Sequence, residues 1–174
     1  DLYFSNTKIL GVSMIIYGLK ARFPEQKGNI RDLRPVWALE ELGVNYELIL
    51  MNPQTMEHKS EDFLKINPFG KVPALRDGEL TLFESAAICT YIADKYEKLI
   101  PSPKTNERAI YDQWISVVLS SIEPHAGRIY ACDYFYEKNE KTQHLKEFAH
   151  HMLTAFLPVL DKHLEKNEFL LGDN

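Results

Sequence analysis

The chain has 174 residues, 45% apolar and 26% charged, enough to bury a core in one large domain or two small ones. A formal net charge of -5 and a pI of about 5.7 give a field that repels phosphate backbones, which argues against nucleic acid as a ligand. Cys89 and Cys132 lie too far apart for a Cys-x-x-Cys pair and suit a reducing cytoplasm, and no apolar run approaches the roughly 20 residues of a membrane span.

Residues 1–13, opening Asp1-Leu2-Tyr3-Phe4-Ser5-Asn6, read as a tag or leader and carry no functional weight, with Met14 a plausible native start. Met14-Ile15-Ile16-Tyr17-Gly18 is short, apolar and β-branched, the pattern of a buried strand. A charged loop follows. Then Leu33, Val36, Trp37 and the run 39–42 recur at helical spacing, with Gly43 placed to end the helix in a left-handed conformation. Pro35 is tolerated only in a first turn, so Asp32 is the expected N-cap and Pro35 the third helical residue. Residues 46–50 form a second strand, completing a βαβ unit. A short helix over 60–65 comes next. Residues 72–75 and 80–83 flank Asp77-Gly78 as a hairpin, and 85–96 is the closing helix. The order βαβ, helix, ββα describes a thioredoxin-like α/β domain over 14–97.

Pro101 and Pro103 mark a linker over 98–104, and everything after it reads as helical. One helix spans 107–136, with Pro124 bending it, and a second spans 142–165. The domain over 105–174 is therefore all-α, and with only two or three helices it is expected to be incomplete. His125, His144, His150, His151 and His163 have no Glu or Cys at ligand spacing and read as solvated, so no metal is expected. Tyr130, Tyr134, Phe135 and Tyr136 near Cys132 are open to two readings, packing or the wall of a ligand pocket.

Three separated segments carry the chemistry: Glu57-His58-Lys59-Ser60, Asn67-Pro68-Phe69-Gly70-Lys71-Val72-Pro73-Ala74-Leu75 and Leu82-Phe83-Glu84-Ser85-Ala86-Ala87-Ile88. Taken together and in this order, they closely resemble the glutathione S-transferases, particularly the phi class, and the resemblance runs from Met14 to the end of the chain. It implies glutathione as co-substrate: an extended tripeptide with two carboxylates, one ammonium and a thiol. By resemblance, Val72-Pro73 is joined by a cis peptide bond and pairs its backbone with the cysteinyl unit like an added strand. Ser85, opening a helix, suits the γ-glutamyl carboxylate, with its hydroxyl and the free first-turn N–H groups facing outward. Glu84 suits the γ-glutamyl ammonium. His58 and Lys59 match the positions that hold the glycine carboxylate, and Lys71 can reach a peptide carboxylate. A homodimer is expected on the same ground.

Conjugation needs the thiolate, and a free thiol with a pKa of about 8.5 is mostly protonated at neutral pH unless a donor or positive dipole lowers it. The family usually places a Ser, Cys or Tyr near the end of the first strand or the start of the first helix. The helix-start residues here are Asn29-Ile30-Arg31-Asp32, with no hydroxyl or thiol. The task then falls to Arg31, Asn29, Tyr17 or the helix N-terminal amides, and the sequence leaves these alternatives open. Three functions follow from the resemblance: conjugation of glutathione to small hydrophobic electrophiles, glutathione-dependent reduction of peroxides or disulfides, and a non-catalytic regulatory or interaction role.

Overall fold

Alternation along the first strand, β1 (Met14–Leu19), sets up both faces of the sheet in the N-terminal unit. Met14 and Ile16 point to one face and are fully buried against Val36, Leu39, Leu75, Ile88 and Ile92. Tyr17 points to the other and packs with Met51, Phe63 and Ala74. The computed structural model describes residues 14–23, 26 and 30–172. The expected leader over 1–13 lies outside them.

The helix α1 (Leu33–Leu42) ends at Gly43, whose φ of 64° is the left-handed conformation expected there. Pro35 is its third residue. Asp32 occupies the N-cap position, but its side chain makes no capping bond; Oδ2 accepts instead from the N–H of Leu19 at 2.9 Å, tying the helix start to the end of β1. β2 (Glu47–Met51) pairs parallel to β1, completing the βαβ unit. A 3-10 turn over Glu57–Lys59 leads into α2 (Glu61–Ile66), capped by Ser60 through its bond from Phe63 N–H at 3.3 Å.

β3 (Ala74–Asp77) and β4 (Leu80–Phe83) form the hairpin, with Asp77 opposite Leu80. The two loop residues are thus Gly78 and Glu79, one position later than the Asp77-Gly78 pair read from sequence. Asp77 stays in the ladder because its carboxylate accepts from the Tyr91 hydroxyl at 2.8 Å and pairs with Lys95, both on α3 (Ser85–Tyr96). The sheet order is β2-β1-β3-β4, with β1 antiparallel to β3. This is a thioredoxin-like sheet, with α1 and α3 on one face and α2 on the other.

The chain divides between Ile100 and Pro101 into two units. The second unit is helical throughout its regular structure: α4 (Asn106–Val117), α5 (Glu123–Tyr134) and α6 (Glu140–Leu164). The single helix expected over 107–136 is interrupted by a π-turn over Val118–Ile122. Pro124 has no N–H to continue the ladder, and Ser116 and Ser120 each bond back to the carbonyl four residues earlier at 2.7 Å, so the turn before Pro124 widens. His125 and His163 depart from the solvated expectation: His125 lies against Phe148 and Phe156, and His163 against Trp114 at 4.8 Å between ring centroids.

Candidate functional site

Strand directions gather the candidate residues at one end of the sheet. β1 is parallel to β2 and antiparallel to β3, which is antiparallel to β4, so the ends of β1, β2 and β4 share an edge with the start of β3. That edge carries the start of α1, the 52–59 loop, Val72-Pro73 and Glu84-Ser85. In open α/β sheets ligands bind beyond the carboxyl ends of strands.

Val72-Pro73 is joined by a cis peptide bond, as the resemblance implies, and stands just outside the ladder, which begins at Ala74 opposite Tyr17 and Phe83. The approach to it is built by Asn67, only 2% exposed, whose Nδ2 donates to the Lys71 carbonyl at 2.7 Å and whose Oδ1 accepts from Phe69 N–H at 3.1 Å. Gly70 sits inside this turn with φ 56°, and a Cβ there would lie 2.7 Å from the His58 carbonyl and 2.8 Å from the Lys59 side chain. The close backbone approach is what seats the 57–59 turn against the 67–73 segment. Lys59 fastens it by donating from Nζ to the Phe69 carbonyl at 2.9 Å.

His58 is half-buried, and its Nδ1 is buried without a hydrogen-bond partner. Burial, then the charges of Lys59, Arg22 and Lys71, hold its pKa below the ordinary imidazole value, which keeps the ring neutral at neutral pH. Lys71 is exposed. A neutral ring nitrogen beside three cations is an arrangement suited to a carboxylate.

At the opposite side of the edge, Ser85 is the first residue of α3 and is 4% exposed. Its hydroxyl does not face open solvent as expected: Oγ accepts from Nη1 of Arg34 at 3.1 Å. Arg34 was not among the sequence-derived candidates. One signal for it was available, because a cation in the first turn of a helix opposes the helix dipole and asks for a tertiary partner. Asn67 and Gly70 were likewise visible only as parts of a motif. Glu84, exposed, precedes α3 with φ 70° and ψ 117°, a conformation that costs a non-glycine residue on the order of 1–3 kcal/mol.

The groups considered for thiol activation fare differently. Asn29 lies outside the described residues. Arg31 is exposed one residue before Asp32. Tyr17 is 7% exposed, with its ring 5.6 Å from that of Phe63 on the α2 face, and burial raises its hydroxyl pKa. Asp32, which the sequence assigned only to capping, is 1% exposed with Oδ1 unpartnered. Desolvation pushes its pKa up to about 6, against the lowering effect of backbone bonds, the first from Leu19. A Cβ on Gly18 would collide with this carboxylate, so the glycine makes room for it. Burial raises the Cys89 thiol to about 11, which leaves it inert, and Cys132 is 1% exposed. Among the described residues no three His, Cys, Asp or Glu side chains form a metal-binding group. No helix among them is long and apolar enough to cross a membrane.

Residues 26–94 match the family described as glutathione S-transferase, N-terminal domain. Glutathione S-transferase 4 of Zea mays is 36% identical over 143 residues, covering 80% of this chain and 64% of that protein. The chain therefore spans just under two thirds of that relative. A probable glutathione S-transferase of Oryza sativa subsp. japonica is 34% identical over 160 residues, covering 86% of this chain and 71% of its own length. A glutathione transferase of Phanerochaete chrysosporium, solved in complex with oxidized glutathione, superposes with a TM-score of 0.80 at 33% identity, over 94% of this chain and 73% of that one.

Proposed function

Because the chain belongs to the glutathione S-transferase family, we propose that it binds glutathione at this sheet edge and adds its thiolate to small hydrophobic electrophiles. The supporting observation is the convergence on one edge of Val72-Pro73, the Arg34–Ser85 pair and the 57–59 turn locked onto Gly70. In this proposal the backbone of Val72 pairs with the cysteinyl unit. Ser85, Arg34 and the first-turn amides of α3 take the γ-glutamyl carboxylate, and Glu84 takes the ammonium. His58, Lys59 and Lys71 take the glycine carboxylate.

With the peptide so held, its sulfur faces the start of α1, where Arg31 favours the thiolate. The first-turn amides of α1 are already used, since Leu33 N–H donates to the Ile30 carbonyl, Arg34 N–H to the Arg31 carbonyl, and Pro35 has none. The thiol proton leaves to solvent; a carbon–sulfur bond then forms as the carbon–halide bond of an aryl halide breaks. Core packing of Tyr17 weighs against it as the activator, leaving Arg31, with Asn29, for that role.

Reduction of peroxides or disulfides on the same site is favoured by one observation, the absence of a hydroxyl or thiol at 29–32. A non-catalytic, regulatory role would keep the site and show neither reaction. Binding to immobilised glutathione, followed by parallel assays of aryl-halide conjugation and peroxide reduction, separates the three. Failure to bind ends both enzymatic proposals; turnover of peroxide alone ends conjugation. Homodimeric assembly in the cytoplasm belongs to the same proposal by family resemblance, and native mass measurement tests the assembly.

A further inference from the structure

The cations around His58 exceed what the motif segments supply, because one of them comes from a different part of the chain. Lys20 N–H donates to the Met51 carbonyl at 2.9 Å, which brings the loop after β1 alongside the end of β2. Immediately beyond, Asn52 N–H donates to Glu57 Oε2 at 2.7 Å, and Glu57 N–H donates to the Asn52 carbonyl at 3.3 Å. That exchange folds the 52–57 loop back and sets His58 at the same edge. Arg22 stands two residues past the Lys20 anchor, its N–H donating to Gln26 Oε1 at 2.7 Å, and its charge is among those felt by the His58 ring.

Among the described residues no acid is paired with this group. The Glu57 carboxylate is committed to its own loop, accepting from Asn52 N–H and from Thr55 Oγ1 at 3.2 Å. Among the described residues no acid is among the influences on His58, and no carboxylate is paired with Arg22 or Lys71. Lys59 already spends one donor on the Phe69 carbonyl. On a chain of net charge -5, an unbalanced group of Arg22, Lys59 and Lys71 around an unpartnered buried ring nitrogen is a built demand for an anion.

We propose that Arg22, in the loop after β1, is a binding and specificity residue that closes over the glycine carboxylate of glutathione beside His58, Lys59 and Lys71. The assignment rests on the glutathione proposal above and deepens it. Its guanidinium fork matches a carboxylate in two hydrogen bonds, which the ammonium groups of the lysines cannot reproduce. The site thereby selects peptides with a free, ionised C-terminus.

The test compares glutathione with its glycyl monoethyl ester, which keeps every other group, by calorimetric titration of the full chain. Arg22→Gln should weaken glutathione binding about fivefold to tenfold and leave the ester unchanged. Arg22→Lys should restore part of the loss, and the salt dependence of glutathione binding should flatten in Arg22→Gln. Equal binding of glutathione by Arg22→Gln and the unaltered protein, or an equal loss for acid and ester, overturns the Arg22 assignment alone. Failure of the unaltered protein to bind glutathione overturns the proposed function and this assignment together.

Discussion

The two sides of the sheet edge differ in how they are fixed. Over 57–85 the candidate groups are held by backbone geometry: the turn around Asn67, the close approach at Gly70, the cis bond at Val72-Pro73, and a helix that starts at Ser85. Among the described residues of 17–32 the buried charged group is Asp32, and it serves the fold by holding Leu19. The first side fits holding a peptide; the second offers an exposed arginine, Arg31, and no free first-turn amide on α1. The two sides can thus diverge independently, because they share an edge but not their supports.

The sharpest way to break this contrast is Gly70→Ala. The new methyl meets the His58 carbonyl and must adopt a positive φ, so a stability loss of roughly 3 kcal/mol is expected, with glutathione binding abolished. Denaturant unfolding and titration of the same samples measure both. If binding survives, the 57–59 turn does not depend on the close approach.

Asp32 gives the next largest effect. Its folded-state pKa, up to about 6, exceeds the unfolded value, so the folded protein takes up the proton more readily. Stability is therefore greatest below the unfolded pKa and declines by about 3 kcal/mol as pH rises through 6, then levels off. Asp32→Asn keeps an acceptor for Leu19 N–H and should remove this contribution to the slope between pH 4 and 7, read by unfolding at several pH values. An unchanged slope would mean the carboxylate is hydrated.

Arg34→Gln should cost about 1.5–3 kcal/mol of glutathione affinity, since the proposal sets its charge against the γ-glutamyl carboxylate, and a smaller loss in unfolding, since its bond to Ser85 is part-buried. The smallest effects separate the activators. Arg31→Gln should lower conjugation by about tenfold with unchanged affinity. Tyr17→Phe should leave turnover within about twofold, because the hydroxyl lies on the core side of the sheet. The reverse order of these two would return activation to the strand.

Much of the fold was legible because it depends on short-range chemistry. β1 follows from an apolar run, the end of α1 from Gly43, and a bend near Pro124 in the helix expected over 107–136 from that proline. The π-turn was not legible, since the position of a proline fixes where a helix must yield but not whether it widens or kinks. Of the candidate groups gathered at the sheet edge, His58, Lys59, Lys71, Val72, Pro73, Glu84 and Ser85 were named through the resemblance their ordered motifs carry. The partner of Arg34 could not be named, because its bond to Ser85 spans 51 positions.

By itself the sequence determined the order of elements and the family of the chain, since periodicity, turn residues and ordered motifs are local properties. Only the tertiary structure decided what each polar group does. Asp32 reads as a helix cap until β1 presents Leu19 to it, and Ser85 reads as open until α1 presents Arg34. A hydrogen-bonding side chain accepts whichever partner folding brings within 3 Å or so, and that partner is set by the packing of distant segments.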